Sequence, residues 1–251
     1  MSCVDIRGCP IGEGRPKTIL PIVEGTEAAI LEKAAQFSTL PADCVEWRAD
    51  WFQECRDPAA VARCLQKLRV ALGSKLLLVT FRTQAEGGQE ALSPAEYRQF
   101  LELVLDTDCA DLLDIEFFTA GADLPALIGD AHTAGAAVVC SSHDFAKTPP
   151  RAELVERMVQ MQQAGADLPK LAVMPQSRTD VLELLAATAE MADQHPETPV
   201  ITMSMGALGA VSRLAGETFG SAMTFANPGQ ASAPGQVSLN IVNEVLDALH
   251  L

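Results

Sequence analysis

Eight apolar runs of strand length recur along the chain, and a segment with helical periodicity follows each of them. The first unit joins a run at residues 18–23 to a helical pattern at 26–37. The other runs lie at residues 44–48, 75–81, 111–117, 136–141, 170–174, 200–204 and 222–225. Such alternation is typical of a parallel α/β sheet, either open and doubly wound or closed as a (β/α)8 barrel. The count of eight favours the closed TIM barrel.

The helical patterns after the first are equally regular. They lie at residues 57–72, 93–106, 122–134, 150–164, 178–194, 206–217 and 238–249. Asp57-Pro58 and Ser93-Pro94 mark two helix starts, because a capping residue precedes a proline at the first helical position. Since no linker or low-complexity tract divides the chain, we assign residues 1–251 to a single barrel domain. An N-terminal extension, residues 1–17, is predicted to cover the bottom of the barrel.

The charge and the cysteines restrict the partners and the compartment. The formal net charge of −15 opposes nucleic acid or an anionic membrane as a partner, because both require a positive footprint. A small anionic substrate is compatible with this charge if a few arginines converge in a cleft. The seven cysteines are scattered and form no CxxC pair, so we expect reduced thiols and no zinc cluster. With no signal-peptide pattern and no bilayer-spanning apolar stretch, the expected location is cytoplasmic.

A charged row occupies one face of the second predicted strand. Residues two apart share a face of a strand, so Glu46, Arg48 and Asp50 point one way, and Val45 and Trp47 point the other way. Helices cover the outer face of a parallel barrel, so we expect the charged row to point inward near the end that carries active sites. The alternative is a solvated edge strand.

Charged side chains on two further strands repeat this arrangement. Asp114 and Glu116 share a face of the fourth strand, and Arg82 follows the third. Burying such charges unpaired is costly, so they are expected to form ion pairs with one another, to contact a ligand, or both.

Lys170 opens an apolar strand and shares its face with Ala172 and Met174, while Leu171 and Val173 face the helices. Desolvation inside a barrel disfavours the charged amine and lowers its pKa, so that the free amine can attack a ketone. This is the chemistry of a Schiff base. The alternative is a lysine that extends to water or pairs with a carboxylate.

His143 is predicted in the loop directly after the fifth strand. Histidine is suited to proton transfer near neutral pH, and a carboxylate such as Glu86 can orient its ring. A loop histidine without function is the alternative. The other three histidines are interpreted as structural or exposed: His132, His195 and His250.

A glycine-containing segment follows the seventh strand. Gly206 and Gly209 resemble a phosphate loop only weakly, because the P-loop lysine and the dinucleotide spacing are missing, so no nucleotide is assigned. Met203 and Met205 share a strand face, where they either pack in the core or form the wall of a substrate pocket.

With these features placed, the chain resembles the type I 3-dehydroquinate dehydratases from the first strand to the last helix. The motifs that carry the resemblance are EWRAD at 46–50, FRTQAEGG at 81–88, SSHDFAKTP at 141–149, PKLAVMP at 169–175, MSMGALGAVSR at 203–213 and ASAPGQ at 231–236. The resemblance implies a lyase of the shikimate pathway, or of quinate breakdown, that converts 3-dehydroquinate to 3-dehydroshikimate without a metal or other cofactor. It also implies a homodimer.

The resemblance further implies roles for individual residues. Lys170 would condense with the substrate ketone, His143 would act as general base and acid, and Glu86 would position His143. Arg213 would hold the substrate carboxylate with help from Gln236. The remaining contacts implied are Glu46, Arg48, Arg82 and Ser232 on the hydroxyl-bearing ring, Met203, Met205 and Phe225 as walls, and Asp114 in the supporting polar network.

One departure from the family and two alternative functions complete the prediction. Pro21 stands on the first strand where some relatives have a serine, and because proline has no side-chain hydroxyl, the substrate contact of that serine is not expected here. A class I aldolase would use the same type of nucleophile on a phosphorylated substrate, but the loops after strands seven and eight offer only Arg213 for phosphate. A catalytically silent barrel is the other alternative, since fold alone does not establish activity.

Overall fold

The computed structural model describes residues 2–228 and 235–250. Its central parallel sheet contains eight successive strands: β3 (Lys17–Ile22), β4 (Cys44–Arg48), β5 (Leu76–Thr80), β6 (Leu112–Glu116), β7 (Ala137–Asp144), β8 (Leu168–Val173), β9 (Ile201–Ser204) and β10 (Met223–Asn227). A hairpin of β1 (Val4–Ile6) and β2 (Cys9–Ile11) precedes them, and the short β11 (Val237–Ser238) pairs with β10.

Neighbouring strands of the sheet follow the chain order from β3 to β9, and β10 lies beside β3. The two ends of this series meet at a parallel bridge between Val200 and Ser221. There the Ala222 amide donates to the Val200 carbonyl at 2.8 Å. The sheet therefore curls into a (β/α)8 barrel, which confirms the predicted fold class.

Helices connect the strands and cover the outside of the barrel. They are α1 (Glu27–Ser38), α2 (Pro58–Leu72), α3 (Pro94–Asp106), α4 (Phe117–Ala120), α5 (Leu124–Thr133), α6 (Arg151–Gln163), α7 (Arg178–Gln194), α8 (Ala210–Leu214), α9 (Gly216–Phe219) and α10 (Leu239–Ala248). Both predicted starts are confirmed: Asp57 accepts from the Ala59 amide at 2.9 Å, and Ser93 forms a reciprocal capping box with Glu96. In the described part of the chain, no helix is both long enough and apolar enough to cross a membrane.

Alternate residues of the strands supply two separate apolar layers. Those facing the helices, such as Val45, Trp47 and Leu171, join the large cluster between sheet and helices. Those facing inward form a second cluster inside the barrel, which includes Ile19 and Leu78. The strand faces predicted from residue alternation are therefore confirmed.

The N-terminal hairpin closes the amino end of the barrel. Ile6 and Ile11 are buried and belong to the inner apolar cluster. Outside it, the Arg7 guanidinium lies 3.2 Å from the Asp111 carboxylate, directly before β6. The hairpin therefore covers the end from which the strands start, as predicted for residues 1–17, and leaves their carboxyl ends accessible.

Two elements differ from the prediction in ways that affect the site. The fifth barrel strand, β7, runs on to Asp144 because its pairing with β8 continues to Asp144 and Val173, so His143 lies on the strand. The predicted helix at 206–217 is divided into α8 and α9. Between them Ala215 leaves the helical conformation, and Gly216 packs where a Cβ would lie 2.9 Å from Pro16.

Candidate active site

A cleft of about 530 Å³ opens at the carboxyl ends of the strands, where active sites of such barrels lie. Eleven predicted site residues line it: Glu46, Arg48, Arg82, Glu86, His143, Lys170, Met203, Met205, Arg213, Phe225 and Gln236. The predicted Ser232 lies outside the described residues. A second cavity of about 440 Å³ lies elsewhere, and among the described residues that line it only Glu217 is charged.

Lys170 projects from β8 into this cleft and is only 2% exposed. Its Nζ lies 3.3 Å from Oδ2 of Asp114 and 4.7 Å from the centre of the Phe225 ring. Burial and, more weakly, the Arg82 charge lower the pKa of the Lys170 amine, while Asp114 opposes this shift. The side chain is thus paired with a carboxylate and does not extend to water, and its neutral form is favoured more than in a surface lysine.

Arg82 lies at the centre of the buried charges and follows β5. Its Nη2 donates to both carboxylate oxygens of Asp114 at 2.9 Å. Its Nη1 donates at 2.9 Å to Glu116 and at 2.9 Å to the Ser141 hydroxyl. Burial opposes the Arg82 charge, but Asp114 and Glu116 outweigh burial and raise the pKa of the guanidinium. The predicted mutual pairing of inward charges is therefore confirmed.

His143 and Glu86 form a second buried pair beside the first. The Nδ1 atom of His143 lies 2.9 Å from Oε2 of Glu86, which also accepts the His143 backbone amide at 3.1 Å. Burial, together with the positive charges of Arg82 and Lys170, lowers the pKa of His143 well below its usual value. The imidazole is therefore neutral near pH 7, and because Nδ1 is engaged by Glu86, Nε2 is the nitrogen available for proton transfer.

The Glu86 carboxyl itself is strongly perturbed. Burial raises its pKa to about 8, against the opposing charge of Arg82, and the nearby carboxylates of Glu116 and Asp114 add to the rise. Strongly perturbed pKa values of neighbouring titratable groups, such as those of Glu86 and His143, cluster at catalytic sites.

The rest of the cleft combines fixed charges with apolar walls. Arg48 donates from Nε and Nη2 to the two oxygens of Asp50, both at 2.8 Å, and Glu46 accepts from the Thr80 hydroxyl at 2.9 Å. Arg213, from α8, is 1% exposed, and burial lowers its pKa to about 10. A guanidinium buried in this way suits an anionic ligand group, since such a group would offset the cost of desolvation.

Three lining residues were not among the predicted site residues: Gly87, Phe145 and Ala172. The Phe145 ring lies nearly parallel to the His143 ring, at 18° and 6.5 Å between centroids. It also covers Gly87, where a Cβ would lie 2.4 Å from the ring. Residue alternation could have indicated Phe145, which stands two positions after His143 and so on the same side of the chain.

The remaining histidines lie outside the cleft. His132 contacts Asp167 at 2.8 Å on the outer surface, His250 contacts Glu217 at 2.9 Å, and His195 follows α7 as its C-cap. Within residues 2–228 and 235–250, no group of three or more acidic, histidine or cysteine side chains is arranged to bind a metal. All seven cysteines are free thiols.

The fold and cleft define a (β/α)8 barrel whose carboxyl-end cleft contains a buried lysine beside a histidine–glutamate pair. The family model of the type I 3-dehydroquinases matches residues 18–251. The 3-dehydroquinate dehydratase of Bacillus licheniformis is 46% identical over 98% of this chain and 97% of its own length. The corresponding protein of Bacillus subtilis is 45% identical over 100% and 98%. The chain belongs to the type I 3-dehydroquinase family.

Solved structures agree with this assignment. A type I 3-dehydroquinate dehydratase from Clostridium difficile, solved with covalently modified comenic acid, has a TM-score of 0.96 at 41% identity and covers 99% of this chain and 98% of its own. The 3-dehydroquinate dehydratase from Enterococcus faecalis has a TM-score of 0.93 at 42% identity, with coverage of 99% and 100%. The similarity therefore extends over the whole barrel.

Proposed function

We propose that this protein dehydrates 3-dehydroquinate to 3-dehydroshikimate through a Schiff base on Lys170, as a lyase of the shikimate pathway. The observation that carries the proposal is the buried Lys170 amine, whose charged form is disfavoured, in one cleft with the His143–Glu86 pair. Family membership and the names of the relatives support the substrate.

Substrate binding would use the fixed charges of the cleft. The buried guanidinium of Arg213 pairs with the substrate carboxylate, and Gln236 also lines the cleft. Arg48, held by Asp50, and Glu46 offer a donor and an acceptor for ring hydroxyls. Apolar walls support the ring: Met203, Met205 and Phe225.

The reaction would begin on Lys170. Its neutral amine adds to the ketone carbon, and loss of water from the adduct leaves an iminium. The positive iminium nitrogen withdraws electrons from the adjacent carbon, so that a proton on that carbon becomes removable. Asp114, 3.3 Å from Nζ, stabilises the positive charge that forms there.

His143 would then carry the proton. The unprotonated Nε2 takes the proton from the carbon next to the iminium, and the electron pair left behind expels the hydroxyl on the following carbon. The imidazolium returns the proton to this hydroxyl, which leaves as water. Water finally hydrolyses the conjugated imine, which releases the enone product and restores the Lys170 amine.

The decisive test is borohydride reduction in the presence of 3-dehydroquinate, followed by intact mass and peptide mapping. We expect one reduced adduct on Lys170, and none in Lys170→Ala, which should also lose turnover as followed by the enone absorbance. Lys67→Ala, on the outer surface of α2, is the matched control and should trap normally. His143→Ala should turn over very slowly but still form some adduct. An adduct on another lysine, or a turning-over Lys170→Ala protein, would refute the covalent route.

The two alternative functions give different results in the same assay. A class I aldolase would trap a phosphorylated ketone on Lys170 and give no enone from 3-dehydroquinate. A catalytically silent barrel would give neither product nor adduct. Family membership favours the dehydratase over both.

We also propose that the protein is a homodimer, that it is located in the cytoplasm, and that residues 1–251 form one folding unit. The family resemblance supports the dimer, and the seven free thiols support a reducing compartment. Light scattering after size-exclusion chromatography checks the dimer.

A further inference from the structure

Glu116, at the carboxyl end of β6, has a fully buried carboxylate that none of the proposed reaction steps uses. Four donors point at it: Arg82 Nη1 at 2.9 Å, the Thr83 amide at 2.8 Å, the Thr83 hydroxyl at 2.7 Å and the Thr119 hydroxyl at 2.6 Å. The Arg82 guanidinium and the Thr83 amide can only donate, so the Glu116 carboxylate accepts from both and pairs with the Arg82 charge. The network thus fixes a negative charge at the base of the cleft.

Arg82 connects this charge to both reacting groups. Through Nη2 it holds Asp114, which contacts Lys170. Its Nη1 lies 3.5 Å from Oε2 of Glu86, the oxygen that contacts His143. Because Glu116 engages the same Nη1, a change at Glu116 is transmitted to both pairs.

We propose that Glu116 is a positioning residue, which holds Arg82 between the Asp114–Lys170 and Glu86–His143 pairs and so sets the pH range in which both pairs react. This inference rests on the proposed function.

The charged and titratable groups that face the network come from every adjoining element: Glu46, Arg48 and Asp50 from β4 and the turn after it, Arg82 and Glu86 after β5, Tyr97 from α3, Asp114 from β6, His143 from β7, Lys170 from β8 and Arg213 from α8.

The sign of the effect follows from electrostatics. A negative charge nearby raises the pKa of every group around it, and Glu116 contributes to the raised pKa of Glu86 in this way. Replacing Glu116 by neutral glutamine should therefore lower the pKa values of Glu86, His143 and Lys170 together. A packing role alone would lower the rate or the stability without moving these values.

The experiment compares wild type with Glu116→Gln in two measurements. The pH profile of kcat/KM for 3-dehydroquinate should move to lower pH by about 1 unit, the size expected for one charge a few ångströms away in a partly polarisable site. A ¹³C NMR titration of protein labelled at the glutamate carboxyls, with Glu86 assigned by Glu86→Gln, should show Glu86 titrating about 1 unit lower. The second measurement needs no substrate.

Thr119→Val is the matched variant that keeps the charge. It removes one donor to Glu116, leaves the carboxylate less compensated, and should move Glu86 slightly to higher pH. This opposite displacement also decides the question if Glu116→Gln does not fold, as judged by circular dichroism.

The outcomes separate the two proposals. If wild type shows no turnover, the proposed function fails, while the Glu86 titration still tests the inference. If wild type turns over and folded Glu116→Gln keeps the wild-type pH profile and Glu86 titration, Glu116 has only a structural role and the inference is overturned. Unmoved titration in Thr119→Val, with no folded Glu116→Gln, overturns it as well.

Discussion

Replacing Arg82 by methionine should destabilise the protein strongly, and more at high pH than at low pH. The guanidinium is 3% exposed and pairs with Asp114 and Glu116, whose side chains have no exposed surface. Methionine keeps much of the volume but leaves both carboxylates without their cation. Breaking a buried pair of this kind costs about 3–5 kcal/mol, which is a large part of the roughly 5–15 kcal/mol that stabilises a typical domain.

The pH dependence has a definite sign. In wild type, burial opposes the Asp114 charge, but Arg82 and Lys170 hold the pKa of Asp114 below its usual value. Its contribution to stability is therefore present above the unfolded pKa, near 4, and is lost as the pH falls through the folded pKa. Without Arg82, burial should raise the pKa of Asp114 above the unfolded value, so stability should fall as the pH rises. The loss caused by Arg82→Met is thus expected to be largest at pH 8 and smaller at pH 5.

Urea unfolding at pH 5 and pH 8, followed by circular dichroism and tryptophan fluorescence, measures this difference. Arg56→Met is the matched control, because Arg56 also pairs with two carboxylates, Glu90 and Glu96, but is half exposed. Solvent screens such pairs, so the control should unfold close to wild type at both pH values. If Arg82→Met unfolds at the same urea concentration as Arg56→Met at pH 8, the buried network does not stabilise this barrel.

Two further variants test neighbouring features of the site. Because Glu86 has a pKa of about 8 when folded, above its unfolded value near 4.5, wild type should lose stability as the pH rises between these values, by up to roughly 5 kcal/mol in total. Glu86→Gln should abolish that loss in urea titrations at several pH values, and parallel curves for the two proteins would contradict the assignment. In Gly88→Ala the new Cβ would meet the Arg82 carbonyl at 1.8 Å, so thermal unfolding should show a loss of at least about 2 kcal/mol. Gly129→Ala, inside α5 with no atom within 4 Å of the added Cβ, should instead be neutral or stabilising, and equal losses in the two would refute the steric explanation.

Residue alternation was sufficient to predict which strand side chains enter the barrel. Lys170, Asp114 and Glu46 all point inward, because a strand buried on both faces must place every second side chain inside. The helix starts at Asp57 and Ser93 could also be predicted from the sequence, since each depends on a capping side chain within a few residues. Features determined by neighbouring residues in the chain could therefore be predicted from the sequence.

Features that depend on contacts between segments far apart in the chain could not be predicted from local sequence patterns. His143 was predicted in a loop, but pairing with β8 extends β7 beyond it. At the break between α8 and α9, Gly216 packs against Pro16, which lies 200 residues earlier in the chain. Alternation also could not show that Arg82 would pair with Asp114 and Glu116 together, because this requires the register of neighbouring strands.

The inner face of the barrel is apolar near the amino end and charged near the carboxyl end, and the active site lies at the charged end. Near the amino end the inner face is apolar, with Ile19 and Leu78, and the hairpin residue Ile11 closes it. Toward the carboxyl end the same face carries the ion pairs around Arg82, where desolvation lowers the pKa of Lys170. The apolar layer excludes water from below and so strengthens each charge interaction above it. The lowered pKa of Lys170 therefore depends on the apolar layer below it as well as on its immediate neighbours. A substitution in that layer that admits water should raise the pKa of Lys170 toward the ordinary value.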